Sequence, residues 1–236
     1  MTSSVSVPAA MLRRMIGAVL PHACDDDDLP ALFGVRFEVS GGTLVLSATD
    51  RYTLGVARYR IPGADVSAPA SPSVLLSRRD AKMLRAILRE HDERLVAAIT
   101  LAERSLTAEC GAFRAQWTAG EHTEEGADWR SILRRALAGK EVPLGDRHGV
   151  DAEKTGRLLP SGSDELAEPM RARIMLPLGR EGEDPGPMTS PLVLFARGDW
   201  FLGAVMPVRL GGMSSGVPWD DWAAVLAPPE SPEAAA

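Results

Sequence analysis

Five basic residues, Arg78, Arg79, Lys82, Arg85 and Arg89, recur at spacings of three and four in one stretch. On a helix that spacing puts most of them on one face, opposed within the stretch by Asp80 and Glu90. A positive face of this kind suits contact with phosphates, salt-sensitive and blind to sequence. A solvated helix surface has the same composition. The carboxylate run Asp25 to Asp28 invites a metal, but consecutive loop side chains diverge and no EF-hand spacing or His/Cys partner follows. It reads as a solvated loop. His22, His91, His122 and His148 lack ligand spacing. Ser161-Gly162-Ser163 reads as a turn, and neither a phosphate-cradling glycine loop nor a nucleophile elbow is present. The residues offer no catalytic constellation and call for no cofactor, so the expectation is a binding protein and not an enzyme.

Bulk properties narrow the class. The 236 residues carry a net charge of −6, which excludes a protein that coats nucleic acid with its whole surface but allows one basic face. Hydrophobic content of 45% and charged content of 25% are those of a soluble protein. No apolar run reaches bilayer length, and the first residues lack a secretory layout, so no membrane association and a cytoplasmic location are expected. Two cysteines, Cys24 and Cys110, make no disulfide framework and read as buried free thiols.

The elements that must position any site follow from periodicity. Pro8 can start a helix in which Leu12, Met15, Ile16, Val19 and Leu20 recur at helical spacing. Val35, Phe37 and Val39 alternate as in a half-buried strand, Gly41-Gly42 signals a hairpin, and Leu44, Leu46 and Ala48 alternate behind it. Tyr52 to Ile61 gives a further strand. After a Pro/Ala/Ser stretch (Ala64 to Pro72) the pattern restarts: a strand over Ser73 to Leu76, a helix capped by Ser77 and running to about His91, then strands over Leu95 to Leu101, Ser105 to Cys110 and Phe113 to Trp117. Residues 1–118 thus read as two copies of strand–helix–three strands. Beyond them, Trp129 to Leu137 is amphipathic, Asp151 to Leu159 is a short helix, and strands fit Met170 to Leu176, Pro191 to Ala196 and Trp200 to Val208. The predicted organisation is a full domain (1–118), a linker (119–147), a partial domain (148–210) and a flexible tail (211–236).

Three stretches resemble the bacterial DNA polymerase III β sliding clamp. The first runs from Leu29-Pro30-Ala31-Leu32-Phe33-Gly34-Val35-Arg36-Phe37-Glu38 through Gly42-Thr43-Leu44 to Ala48-Thr49-Asp50-Arg51-Tyr52-Thr53-Leu54. It is similar to the clamp's central domain, with its strand ending in Ala-Thr-Asp. Ala127-Asp128-Trp129-Arg130 is similar to the segment joining the clamp's central and last domains, and Val205-Met206-Pro207-Val208-Arg209-Leu210 resembles the clamp's closing Met-Pro-Met-Arg-Leu. The resemblance implies an α+β DNA-clamp fold of antiparallel sheets: one full central-type domain plus the second half of a last domain. With those parts, the family's ring is not expected to close in its usual way, and the oligomeric state is left open.

The resemblance also implies a site. Clamps accept a short peptide with a hydrophobic anchor between the central and last domains, where polymerases, repair proteins and clamp loaders dock. The matching positions are Leu32, Thr49, Tyr52, Thr53, Leu54, Ile132 and Met206, with Pro207, Val208 and Arg209 beside them. Interdomain core is the other reading of these apolar residues. Arg51, Ala127 and Ala204 depart from the family's pattern. Duplex DNA contact by Arg13, Arg14, Arg78, Arg79, Lys82, Arg85, Arg89, Lys154 and Arg157, on the helices that line clamp rings, is the alternative, and a pure interaction scaffold is a third. The 26 residues after Leu210 hold an aromatic island, Val217-Pro218-Trp219-Asp220-Asp221-Trp222. It either folds back over the groove and competes with partners or covers apolar surface left by the missing half-domain.

Overall fold

A computed structural model describes residues 2–26, 28–65, 72–92, 94–119, 128–142, 148–158, 170–177 and 191–209. The first unit is strand β1 (Ser3–Pro8), helix α1 (Ala9–Val19) and strands β2 (Gly34–Ser40), β3 (Thr43–Thr49) and β4 (Thr53–Arg60). The second is β5 (Val74–Ser77), α2 (Arg78–Glu90), β6 (Val96–Ala102), β7 (Ser105–Cys110) and β8 (Phe113–Thr118). Each unit lends its first strand to the other: β5 pairs with β2, and β1 pairs with β6. The results are two antiparallel arrays, β5-β2-β3-β4 and β1-β6-β7-β8. This exchange locks the repeated units into one body.

Local chemistry explains the boundaries. Gly41 and Gly42 have φ of 54° and 68°, the left-handed pair that a tight β2–β3 hairpin requires. Ser77 caps α2, its Oγ accepting from Asp80 N at 3.1 Å. Leu12, Met15, Ile16 and Val19 of α1 and Leu84 and Leu88 of α2 meet the inward residues of both arrays, among them Phe37, Leu46, Ile99 and Leu106, in one buried core. Cys24 and Cys110 are buried and unpaired.

The chain continues as α3 (Trp129–Leu137), β9 (Lys140–Glu141), β10 (His148–Gly149), α4 (Ala152–Gly156), β11 (Met170–Leu176), β12 (Leu192–Arg197), β13 (Phe201–Val205) and β14 (Val208–Arg209). Strand β13 pairs with β4, extending the first array into an eight-stranded sheet, β5-β2-β3-β4-β13-β12-β11-β9. At this seam two glycines, Gly55 and Gly203, stand directly opposite each other. A Cβ on Gly55 would strike His22, and one on Gly203 would strike Leu158. The notch left by the two missing side chains is thus filled by one residue from each part of the chain.

The architecture is the α+β arrangement of antiparallel sheets and helices that the resemblance implies, built from the strand–helix–three-strand units that periodicity predicts. Three details differ. The stretch from Trp200 to Val208, read as one strand, divides into β13 and β14 because Pro207 has no N–H for the ladder. The short helix read over Asp151 to Leu159 is confined to α4, with Asp151 as its cap. The segment read as linker also contributes β9, whose Lys140 and Glu141 pair with Leu176 and Met175 of β11. No helix among the described residues is long and apolar enough to cross a membrane.

Candidate functional site

The β3–β4 turn is the most tightly specified part of the candidate groove. Asp50 Oδ1 accepts from the Tyr52 and Thr53 backbone amides at 3.0 and 2.6 Å and from Thr53 Oγ1 at 2.9 Å. Thr49 Oγ1 donates to the Thr53 carbonyl at 2.7 Å and accepts from Arg51 N at 3.1 Å. These bonds hold Arg51 at a φ of 79°, a left-handed conformation that a residue with a Cβ adopts at a cost. The other Asp50 oxygen receives Arg157 Nη1 at 2.7 Å, an ion pair that ties α4's C-cap to the turn. Lys154 Nζ lies 4.2 Å from the centroid of the Tyr52 ring, in cation–π range. Tyr52, so supported from behind, remains 49% exposed.

Two further stretches reach the same place. The Met206 amide donates to the Tyr52 carbonyl at 2.8 Å, which sets the end of β13 beside the turn; Met206 is 42% exposed. Helix α3, capped by Asp128 on Ser131 N at 3.0 Å, buries Leu133 and Ala136 against Val45, Leu54, Val56, Leu194 and Ala204 across the β4–β13 seam. Its Ile132 stays 40% exposed. Arg130 anchors the helix through Glu38, with Nη–Oε distances of 3.0 and 2.8 Å, and covers the Trp129 ring at 4.3 Å. A shallow cleft, open to solvent, lies alongside, lined by Ala31, Leu32, Thr49, Leu54, Leu75 and Trp129, with Arg36 and Ser47 as polar members.

The groove residues from the sequence therefore fall into distinct positions. Leu32, Thr49 and Leu54 line the cleft, while Tyr52, Ile132 and Met206 are exposed. Thr53 and Pro207 are buried supports. Val208 and Arg209 form β14 by backbone pairing with Gly149 and His148. Trp129, Arg36, Ser47 and Leu75 went unassigned from sequence. Trp129 sat in a motif already singled out; for the other three, alternation on β2, β3 and β5 gave only strand faces. Arg36 donates to Ser73 Oγ at 2.8 Å, and its burial lowers the guanidinium pKa, against the pull of Glu38.

Beneath the turn sits His22, fully buried, its ring stacked 6.4 Å from that of Phe201. Neither ring nitrogen has a hydrogen-bond partner. Burial pushes its pKa down to about 4; nearby Asp50 opposes that shift and Arg157 adds to it. His22 was read from sequence as one of four scattered histidines, since nothing local marks a residue buried by a strand thirty positions away.

The basic residues divide. Arg14 stacks 4.2 Å over the Trp200 ring, and Arg78 bonds the Ala23 carbonyl at 3.4 Å and lies 3.8 Å from Asp25. Lys154 pairs with Asp151 at 3.7 Å, and Arg157 with Asp50 and Glu153. Arg85 lies against Gly17 of α1, where an added Cβ would come within 2.9 Å of it, and Arg13 is half-buried on that helix. Arg79, Lys82 and Arg89 are exposed along α2. No cluster of potential metal ligands occurs among the described residues. The Asp25 to Asp28 run falls partly outside them, and the aromatic island wholly so.

Comparison with known proteins agrees with this architecture. Residues 6–118 match the DNA polymerase III beta subunit, central domain, family. A 74-residue stretch is 36% identical to the beta sliding clamp of Micrococcus luteus, covering 31% of this chain and 23% of that protein. The DNA polymerase III subunit beta of Pseudomonas aeruginosa superposes with a TM-score of 0.60 at 18% identity, over 88% of this chain and 67% of that one. The Caulobacter crescentus beta sliding clamp gives 0.59 at 14% identity, over 89% and 66%. The fold is that of the sliding clamps, and the chain spans about two thirds of the length of these solved relatives.

Proposed function

From the relationship of residues 6–118 to the DNA polymerase III β central domain, we propose that this chain is a non-catalytic, sliding-clamp-like protein that binds short peptide segments of replication or repair partners. The observation that carries this reading is a shallow cleft lined by Leu32, Thr49, Leu54 and Trp129, with exposed Tyr52 and Met206 bonded together at the adjoining β3–β4 turn and Ile132 exposed on α3 three residues beyond Trp129. Residues that served only as interdomain core would be covered. Exposed aromatic, methionine and branched side chains rimming a concave surface suit a hydrophobic anchor, and methionine adapts to more than one partner. In this reading residues 1–118 act as the central-type domain and 148–210 as the partial last domain, joined by 119–147, with the tail (211–236) beyond and cytoplasmic DNA metabolism as the setting.

The test is fluorescence anisotropy of a labelled peptide carrying a glutamine and a leucine–phenylalanine anchor. Saturable binding is expected, weakened at least tenfold by Met206→Arg. Equal binding by the variant, or none by either protein, refutes the groove. A second reading has its own support: Arg79, Lys82 and Arg89 project from α2 into solvent, giving an acidic chain one basic edge for non-specific contact with duplex phosphates. Retention on duplex DNA that weakens with salt and is lost in Arg79→Glu/Lys82→Glu supports it; no retention at low salt removes it.

A further inference from the structure

The groove rim lies close to the point where the chain leaves the described residues. Met206 is bonded to the Tyr52 carbonyl, and Arg209 is three residues further on, at most about 10 Å away along an extended chain. Nine residues lie between Arg209 and Trp219, a contour of up to about 35 Å, ample for a turn and a return to Tyr52. The segment within reach has the chemistry of an anchor peptide: Val217-Pro218-Trp219 and Trp222 are apolar, and Asp220 and Asp221 lie between the two indoles. Those carboxylates complement Arg51, whose guanidinium lies 5.9 Å from the Tyr52 ring centroid.

We propose that residues 217–222 occupy the groove in cis, as an internal competitor that partner peptides must displace. The inference rests on the peptide-groove reading for its regulatory meaning, but the docking itself can be measured separately. A tethered segment this close has an effective concentration on the order of 1 mM, so even a segment that binds with a Kd of about 100 μM weakens partner binding roughly tenfold.

The experiment uses the full chain and its Trp219→Ala/Trp222→Ala variant. The labelled partner-type peptide is expected to bind the variant about tenfold more tightly. A labelled synthetic peptide spanning residues 215–224 is expected to bind the variant saturably and to lose that binding on adding Met206→Arg, or Tyr52→Ala where the arginine disturbs folding. Equal partner affinity of the two full chains overturns the proposal, as does failure of the synthetic peptide to bind. Binding that survives Met206→Arg but is lost on Leu137→Asp/Leu176→Asp also overturns it, placing the segment on the exposed leucines beside β9. If no partner peptide binds any form while the synthetic peptide still docks through Met206, self-docking stands and the partner-binding function fails.

Discussion

Acid titration of His22 gives the sharpest prediction about the seam beneath the groove. The ring is fully buried, packs over Gly55 and faces Phe201, and its pKa is pushed from 6.5 to about 4. Above pH 6.5 the histidine is neutral in folded and unfolded chains alike and makes no difference to stability. Between pH 6.5 and 4 the unfolded chain binds a proton that the folded chain refuses, so stability falls as pH is lowered; below 4 both forms are protonated and the loss levels off. The two pKa values give a loss of about 2 kcal/mol at pH 5 and about 3 kcal/mol at pH 4, relative to pH 8. The assay is urea unfolding of the full chain and of His22→Leu across pH 4 to 8. Carboxylates titrate in both proteins, Asp151 among them, its pKa held down chiefly by the Lys154 amide, so the difference between the two curves isolates His22. The leucine variant is expected to lose about 2 kcal/mol less than the parent between pH 8 and 5. Parallel stability curves would refute the claim that His22 is held neutral inside the seam.

Two other substitutions probe the same region. Gly55→Ala drives a methyl group into the His22 ring and should destabilise by about 1–3 kcal/mol in urea unfolding. Adding His22→Ala to it should cost less than the sum of the single changes, and strict additivity would show that the two do not touch. Arg51→Gly releases the left-handed strain of the β3–β4 turn and should stabilise by about 1 kcal/mol, seen as a rise in Tm; a fall would mean that the arginine's contact with Tyr52 outweighs the backbone cost.

Much of the fold was legible because it rests on local periodicity. The limits read for Ser105 to Cys110, Trp129 to Leu137 and Met170 to Leu176 coincide with β7, α3 and β11. β7 and α3 each bury one face, and burial of that kind imposes a period on the residues themselves, whereas β11 buries only Met175. What stayed hidden depends on distant partners. Strand β9 has two residues, too few to show alternation, and exists because β11 offers it an edge. The Gly55–Gly203 pair has no local meaning, since either glycine alone reads as a weakened strand. Among the basic residues spacing gave the helical face correctly, but it could not separate exposed Arg79 from Arg14, which spends its guanidinium on Trp200.

On the proposed reading the groove and the seam are physically one object, which ties peptide binding to folding. Tyr52 projects because Asp50 fixes its turn, and Asp50 is itself held by Arg157 from the other part of the chain. Met206 is placed by β13, whose register on β4 depends on a notch filled by His22 and Leu158. Ile132 is presented by α3, which stands on Leu54 of β4 and Ala204 of β13 together. Each of the three exposed rim residues therefore requires both parts of the chain to be joined. A perturbation that opens the seam without unfolding residues 1–118 must scatter the rim, so peptide affinity should fall before the core signal does. For that reason acid and Gly55→Ala are expected to weaken binding of the anchor peptide under conditions where the buried Trp117 of β8, on the separate β1-β6-β7-β8 sheet, still reports a folded core. Simultaneous loss of both signals would mean that the chain folds as a single cooperative unit and that the groove cannot be dismantled on its own.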